Sequence, residues 1–171
     1  MPRVLIVDDQ PAVRTALEVL FEVHDIDATS AKSPEEARAL VAEGDVAVVV
    51  QDMNFTENTT SGAEGVELFR AIRKLDPEMP VLLMTAFGSL ETAVMLVKEG
   101  ASDYLSKPWD DQKVLASVRN LLALRRLKTE NDRLKGESGR ARRELSEKYD
   151  LCGLVYESEA MHRVVSLAVH V

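Results

Sequence analysis

The chain is poor in cysteine, in basic charge and in long apolar runs, and each shortage closes off a class of function. Its one cysteine, Cys152, allows no internal disulfide, so a reducing cytosol is the expected compartment. Twenty-one Lys and Arg against 29 Asp and Glu leave a formal charge of −8, which argues against a chain that coats nucleic acid unaided. No apolar stretch approaches the roughly 20 residues of a membrane span, so no membrane partner is expected. Met1-Pro2-Arg3 runs straight into an apolar segment, without the long apolar core and cleavage site of a signal peptide. What is there is 171 residues, 46% hydrophobic and 29% charged, which suits one domain plus extra material.

Short apolar runs recur, and each ends on a polar residue. Arg3 to Val7 ends in Asp8-Asp9, Val46 to Gln51 in Asp52, Val81 to Met84 in Thr85, and Asp103-Tyr104-Leu105 runs up to Lys107-Pro108. Runs of this kind read as buried parallel strands, with a further short strand around Ile26 to Thr29. Helix signals lie between them. Pro11 opens one with Val13, Leu17, Leu20 and Phe21 on a stripe. Ser33-Pro34-Glu35-Glu36 opens a second, which stops at Gly44. A third is expected over about Ala63 to Leu75 and a fourth over Ser89 to Glu99, closed by Gly100. The fold class is therefore α/β: a doubly wound (βα)5 parallel sheet of five strands, followed by a long helical linker.

From Trp109 the pattern changes. Val114, Leu115, Val118, Leu121 and Leu122 fit a helix packed on the sheet. Beyond it, Leu124, Leu127, Asn131, Leu134, Ser138, Ala141 and Leu145 alternate at spacings of three and four. Such spacing is a coiled-coil seam, and an Asn at an a position can fix the register of a parallel dimer. Ser138, Gly136 and Gly139 weaken the seam. Two readings stay open, a dimeric coiled coil and a solvated helical linker. The expected layout is a receiver unit over 1–122, the linker over 123–150, and over 151–171 the opening of a further domain, with Ser158 capping a helix of Met161, Val164, Val165 and Ala168.

In an open parallel sheet, the carboxyl ends of the strands share one edge, where ligands bind. Asp8, Asp9, Asp52, Thr85 and Lys107 would meet there. A carboxylate is a competent nucleophile toward an activated phosphoryl group, and Asp52 ends the most apolar strand. Three neighbouring carboxylates repel one another and call for a hard cation such as Mg²⁺. Thr85 and Lys107 would bind oxygens of a phosphoryl group on Asp52. Singly, each residue has a plainer reading: an Asp at a strand end is most often a turn residue or cap.

Residues 1 to about 122 resemble the receiver domain of bacterial two-component response regulators, through Val7-Asp8-Asp9, Asp52, Thr85-Ala86 and Tyr104-Leu105-Ser106-Lys107-Pro108. The resemblance implies a flavodoxin-like (βα)5 fold, with Asp52 as the phosphoacceptor for a sensor histidine kinase. It implies that Asp9, the Asp52 side chain and the Asn54 backbone carbonyl bind Mg²⁺, with Asp8 acting largely through water. Tyr104 would be the aromatic switch that follows Thr85. Gly153 to Met161 resembles the start of the AAA+ ATPase domain of NtrC-type, sigma-54-dependent activators. In that family a receiver, linker, ATPase and DNA-binding module follow one another, so sigma-54 RNA polymerase and DNA would be partners only through domains outside this chain. Gly136-Glu137-Ser138-Gly139 lacks the Lys and the preceding strand of a phosphate-binding loop, so no ATPase is expected here.

One departure stands out. The loop after Asp52 is about five residues longer than the usual receiver turn and has no Pro; it is either a tolerated insertion or a lid or dimer contact. Rival functions are a constitutive dimerisation scaffold that is never phosphorylated, and a hydrolase with an aspartyl-phosphate intermediate. The hydrolase normally carries a second acid two residues after the nucleophile, where this chain has Asn54. The three histidines lack ligand spacing.

Overall fold

The computed structural model describes residues 3–55, 62–85, 90–149, 154, 156 and 158–168. They fall into two compact units, Met1–Arg125 and Arg126–Val171. The expected features at 56–61, Ala86, Ser89, Cys152, Gly153 and His170 lie outside the described residues, as do the side chains of Ser138 and Ala141.

The first unit carries five strands: β1 (Arg3–Val7), β2 (Ala28–Ala31), β3 (Val46–Asp52), β4 (Val81–Thr85) and β5 (Asp103–Ser106). All pair in parallel, in the order β2-β1-β3-β4-β5. Helices α1 (Pro11–Val23), α2 (Pro34–Glu43), α3 (Ala63–Leu75) and α4 (Leu90–Lys98) connect them, and α5 runs from Asp111 to Lys148. The order reverses between β1 and β3, so the crevice at their carboxyl ends is the binding position of a doubly wound sheet.

Strand alternation builds the two cores. Leu5, Val7, Val49 and Leu83 pack with Ala37, Leu68, Phe69, Ile72 and Leu96 of α2, α3 and α4. Their neighbours Val4, Ile6, Val48, Val50 and Met84 pack with Leu17 and Phe21 of α1 and Val114, Leu115, Val118 and Leu121 of α5. Every residue of β3 is buried, as its apolar run requires of a central strand.

The local signals act as their chemistry dictates. The Ser33 hydroxyl accepts from the Glu36 N–H, and the Glu36 carboxylate accepts from the Lys32 N–H. These bonds satisfy amides that the first turn of a helix leaves free. Gly44 ends α2 at φ +90°, a conformation glycine adopts without cost. One boundary needs correcting. The second strand spans Ala28–Ala31, not Ile26 to Thr29. Ile26 is used instead to close α1: its N–H bonds to Phe21 O at 2.9 Å and its side chain is buried beside Phe21.

In the second unit, α5 remains helical through Gly136 and Gly139. Ion pairs from Arg133 to Glu130 and Glu137 decorate this stretch and are solvent-exposed. Such pairs add a few tenths of a kcal/mol each to a helix. Helix α6 (Glu159–Ala168) starts at Ser158, whose hydroxyl accepts from the Met161 N–H. Val165 is buried, whereas Met161, Val164 and Leu167 are exposed.

Candidate functional site

The ends of β1, β3, β4 and β5 bring five of the expected residues to one edge. Asp8 and Asp9 follow β1, Asp52 and Thr85 end β3 and β4, and Lys107 follows β5 directly. The Lys107 N–H donates to the Thr85 carbonyl at 2.7 Å, so the backbone itself sets Lys107 beside β4. The Lys107–Pro108 peptide is cis.

Asp8, Asp52 and Thr85 are buried. The Lys107 ammonium donates to Asp8 Oδ2 and to Asp52 Oδ2, at 2.8 Å in each case. It therefore bridges two of the acids. The second oxygen of Asp8 accepts from the Gln10 N–H at 2.9 Å, and that of Asp52 from the Met53 N–H at 2.7 Å. Burial pushes the Asp52 carboxyl up, and the Asp8 charge adds to this; the bond and charge of Lys107 oppose it without cancelling it. Burial also works against the Lys107 charge, yet hydrogen bonds and attraction from Asp52 and Asp8 hold its pKa above the ordinary lysine value.

Asp9 differs from both. Its Oδ1 is buried with no hydrogen-bond partner, and no ion pair to it occurs among the described residues. Carboxylate oxygens of Asp8, Asp9 and Asp52 lie within 4.8 Å of one another. The donor set is all oxygen, and one of its three carboxylates carries a buried oxygen without a partner. These residues fit a hard divalent cation, which would supply the charge that a single ammonium leaves short.

The remaining expected residues are placed less tightly. Asn54 is half-buried, and its side-chain oxygen accepts from the Gly62 N–H at 3.1 Å. Tyr104 is exposed on β5. Trp109 packs at the start of α5 and donates to Asp111. Two participants were missed in the sequence. The Arg14 guanidinium donates to the carbonyls of Asp8 and Asp9, at 2.8 and 3.0 Å, and so fixes the loop that bears them. Gln51, a polar residue inside an apolar strand, is fully buried, and its amide donates to Gly65 O at 2.6 Å. Its place in a run of valines was the available signal. A cavity of about 280 Å³ is lined by Lys32, Ser33, Arg38, Phe55 and Glu64, and not by Asp8, Asp9 or Asp52.

Comparison with known proteins decides the family. The sequence model described as "Response regulator receiver domain" matches residues 4–119. The chain belongs to the response regulator receiver family. Among curated proteins, this receiver is 36% identical to the response regulator protein PilR of Pseudomonas aeruginosa over 140 residues, 80% of this chain and 30% of the relative. It is 30% identical to the C4-dicarboxylate transport transcriptional regulatory protein DctD of Rhizobium meliloti over 170 residues, 99% of this chain and 34% of the relative. The chain thus spans about a third of the length of these relatives. Among solved structures, the signal receiver domain of a two-component response regulator from Bacteroides fragilis matches at 36% identity and a TM-score of 0.63, over 71% of this chain and 97% of that one. No described helix of this receiver is long and apolar enough to cross a membrane.

Proposed function

We propose that residues 1–122 form a cytoplasmic phosphorylation switch in which Asp52 accepts a phosphoryl group from a sensor histidine kinase, with Mg²⁺ as cofactor. The observation that carries this reading is the Lys107 ammonium, 2.8 Å from both Asp52 and Asp8, beside a buried Asp9 oxygen without a partner. Asp9, the Asp52 side chain and the Asn54 carbonyl would hold the ion, and Asp8 would act through water. When bound, the ion neutralises phosphoryl oxygens as transfer proceeds.

An Asp52 oxygen attacks the phosphorus. The O–P bond forms as the P–N bond to the kinase histidine breaks, and the leaving imidazole keeps the electron pair and takes up a proton. Both Asp52 oxygens are hydrogen-bonded beforehand, to Met53 N–H and to Lys107. The Lys107 ammonium therefore follows the charge from the carboxylate to a phosphoryl oxygen, while the Thr85 hydroxyl donates to another. As Thr85 moves toward the phosphoryl group, Tyr104 leaves its exposed position and follows. Weak autophosphorylation and dephosphorylation come with such a site, but the Asn54 amide cannot take a proton from water as the second acid of a rapid hydrolase does.

The output is a change in pairing between two copies, through the receiver face of α4, β5 and α5 and through the linker over 123–150. Leu124, Leu127 and Leu134 are 61%, 68% and 53% exposed in the single chain, and with Asn131 they stand at coiled-coil spacing. Residues 151–171 begin the ATPase of a sigma-54-dependent activator, a reading supported by the DctD match across 99% of the chain. In the whole protein, the linker would govern assembly of that ATPase.

The test is intact-mass spectrometry after incubation with acetyl phosphate and Mg²⁺. One added phosphoryl group, lost in Asp52→Asn and without Mg²⁺, is expected. An unlabelled chain would favour the scaffold, and rapid multiple turnover the hydrolase.

A further inference from the structure

Three side chains around the β3–α3 connection have no part in the phosphoryl chemistry: Gln51, Asn54 and Glu64. Each makes a hydrogen bond from one side of that connection to the other. The Gln51 amide donates to Gly65 O at 2.6 Å. The Asn54 side-chain oxygen accepts from Gly62 N–H at 3.1 Å, and the Glu64 carboxylate accepts from Phe55 N–H at 3.3 Å. The backbones are also in direct contact. A Cβ at Gly65 would lie 2.7 Å from both the α-carbon and the carbonyl oxygen of Met53, so α3 can approach β3 this closely only with glycine there.

Gln51 is the informative member. It pairs with Val7 and Leu83 in the centre of the sheet, is fully buried, and its Oε1 has no hydrogen-bond partner. An unpaired buried oxygen costs stability that an apolar side chain of similar size would not. The amide is kept despite that cost, and what it makes is the bond to Gly65. Asn54, meanwhile, directs its side chain to Gly62, away from any role at the acid cluster, and leaves its backbone carbonyl as its contribution there. A carbonyl ligand has no rotamer of its own; its direction is set by whatever fixes the loop.

We infer that Gln51, Asn54 and Glu64 are positioning residues that aim the Asn54 carbonyl at a divalent cation held by Asp9 and Asp52. The inference rests on the metal reading given under Proposed function. It adds that three hydrogen bonds tie residues 51–55 to residues 62–65, and that these bonds set the aim of the carbonyl.

The experiment is a MgCl2 titration of the full chain followed by amide NMR, with the melting temperature of each variant measured alongside. Gln51→Leu should weaken Mg²⁺ affinity about tenfold, the low end for residues that orient a metal ligand, with an equal or higher melting temperature. Glu64→Ala should weaken it about threefold, whereas Glu64→Gln, which still accepts from Phe55 N–H, should stay near wild type. Glu67→Ala, a control for lost negative charge on the same helix, should bind normally. Unchanged affinity in Gln51→Leu, or a loss that merely tracks a fall in melting temperature, overturns the inference. If Gln51→Leu fails to fold, the Glu64 pair decides: equal affinities for Glu64→Ala and Glu64→Gln overturn it. A wild-type affinity indifferent to Asp9→Asn would instead defeat the metal reading itself.

Discussion

The sheet edge of the first unit and the exposed leucines from Leu124 onward are opposite cases of the same physics. At the sheet edge, Asp8, Asp52 and Lys107 satisfy one another inside a single chain, down to hydrogen bonds of 2.8 Å. Along the linker, Leu127 and Leu134 remain 68% and 53% exposed, and the ion pairs there lie in solvent. Burial makes the first region self-sufficient in geometry but short of positive charge. Exposure makes the second dependent on a partner for whatever stability its leucines can give.

The largest contrast is in the cost of deleting a leucine. Leu83→Ala, in the α2–α3–α4 core, should cost about 2–5 kcal/mol in chemical denaturation. Leu127→Ala should stay within about 0.5 kcal/mol in dilute solution, and should cost more only at concentrations where the wild type self-associates. Equal costs for the two at high dilution would erase the distinction between the regions.

Next comes the counter-charge. Lys107→Ala leaves Asp8 and Asp52 buried without their cation. Breaking a fully buried pair costs about 3–5 kcal/mol, and Lys107 keeps 19% of its side chain exposed, so about 2–3 kcal/mol is expected. Added Mg²⁺ should restore part of it, because an ion that binds only the folded state stabilises that state. Thermal unfolding with and without MgCl2 reads both numbers.

Asp52 should behave in the opposite sense. Asp52 titrates above the 3.8 of an ordinary aspartate. Between that value and its raised native value, the folded state holds a proton that the unfolded chain has already lost. Stability from this group therefore falls as pH rises through the window, and ionised Asp52 is a net cost at neutral pH. Asp52→Asn should raise stability by about 1 kcal/mol at pH 7, roughly 2–4 °C for a chain of this size. That gain should shrink as pH falls toward 4. A gain that is flat with pH would mean that ionisation is not its source.

The smallest effect is expected at Arg133. Arg133→Ala should change helicity by circular dichroism only slightly, at a few tenths of a kcal/mol per lost pair, and less in high salt.

The fold was legible wherever a residue's role is settled by its near neighbours in sequence. Ser33-Pro34-Glu35-Glu36 starts a helix, Gly44 ends it, and an apolar run such as Val46 to Val50 is a central strand. The second strand was misplaced by two residues because Ile26, apolar enough for a strand, is used to close α1. The same limit applies at the sheet edge. The strand ends bring Asp8, Asp9, Asp52, Thr85 and Lys107 to one edge, and the apolar runs announce those ends, but the order β2-β1-β3-β4-β5 does not follow from their spacing. Which acid pairs with Lys107 depends on contacts between residues far apart in the chain. Arg14 is near Asp8 and Asp9 in sequence, but its acceptors are backbone carbonyls, which every residue carries and no side-chain pattern marks. Gln51 was visible as a polar break among valines, but its partner Gly65 was not.

The measurement that tests the link between the two regions most directly is the mass of the chain in solution by light scattering, with and without Mg²⁺ and beryllofluoride, and with Asp52→Asn as control. The account predicts a change in association or shape that appears with beryllofluoride and vanishes in Asp52→Asn. An unchanged monomer in every sample would contradict it, because the exposed leucines would then have no partner for the sheet edge to control.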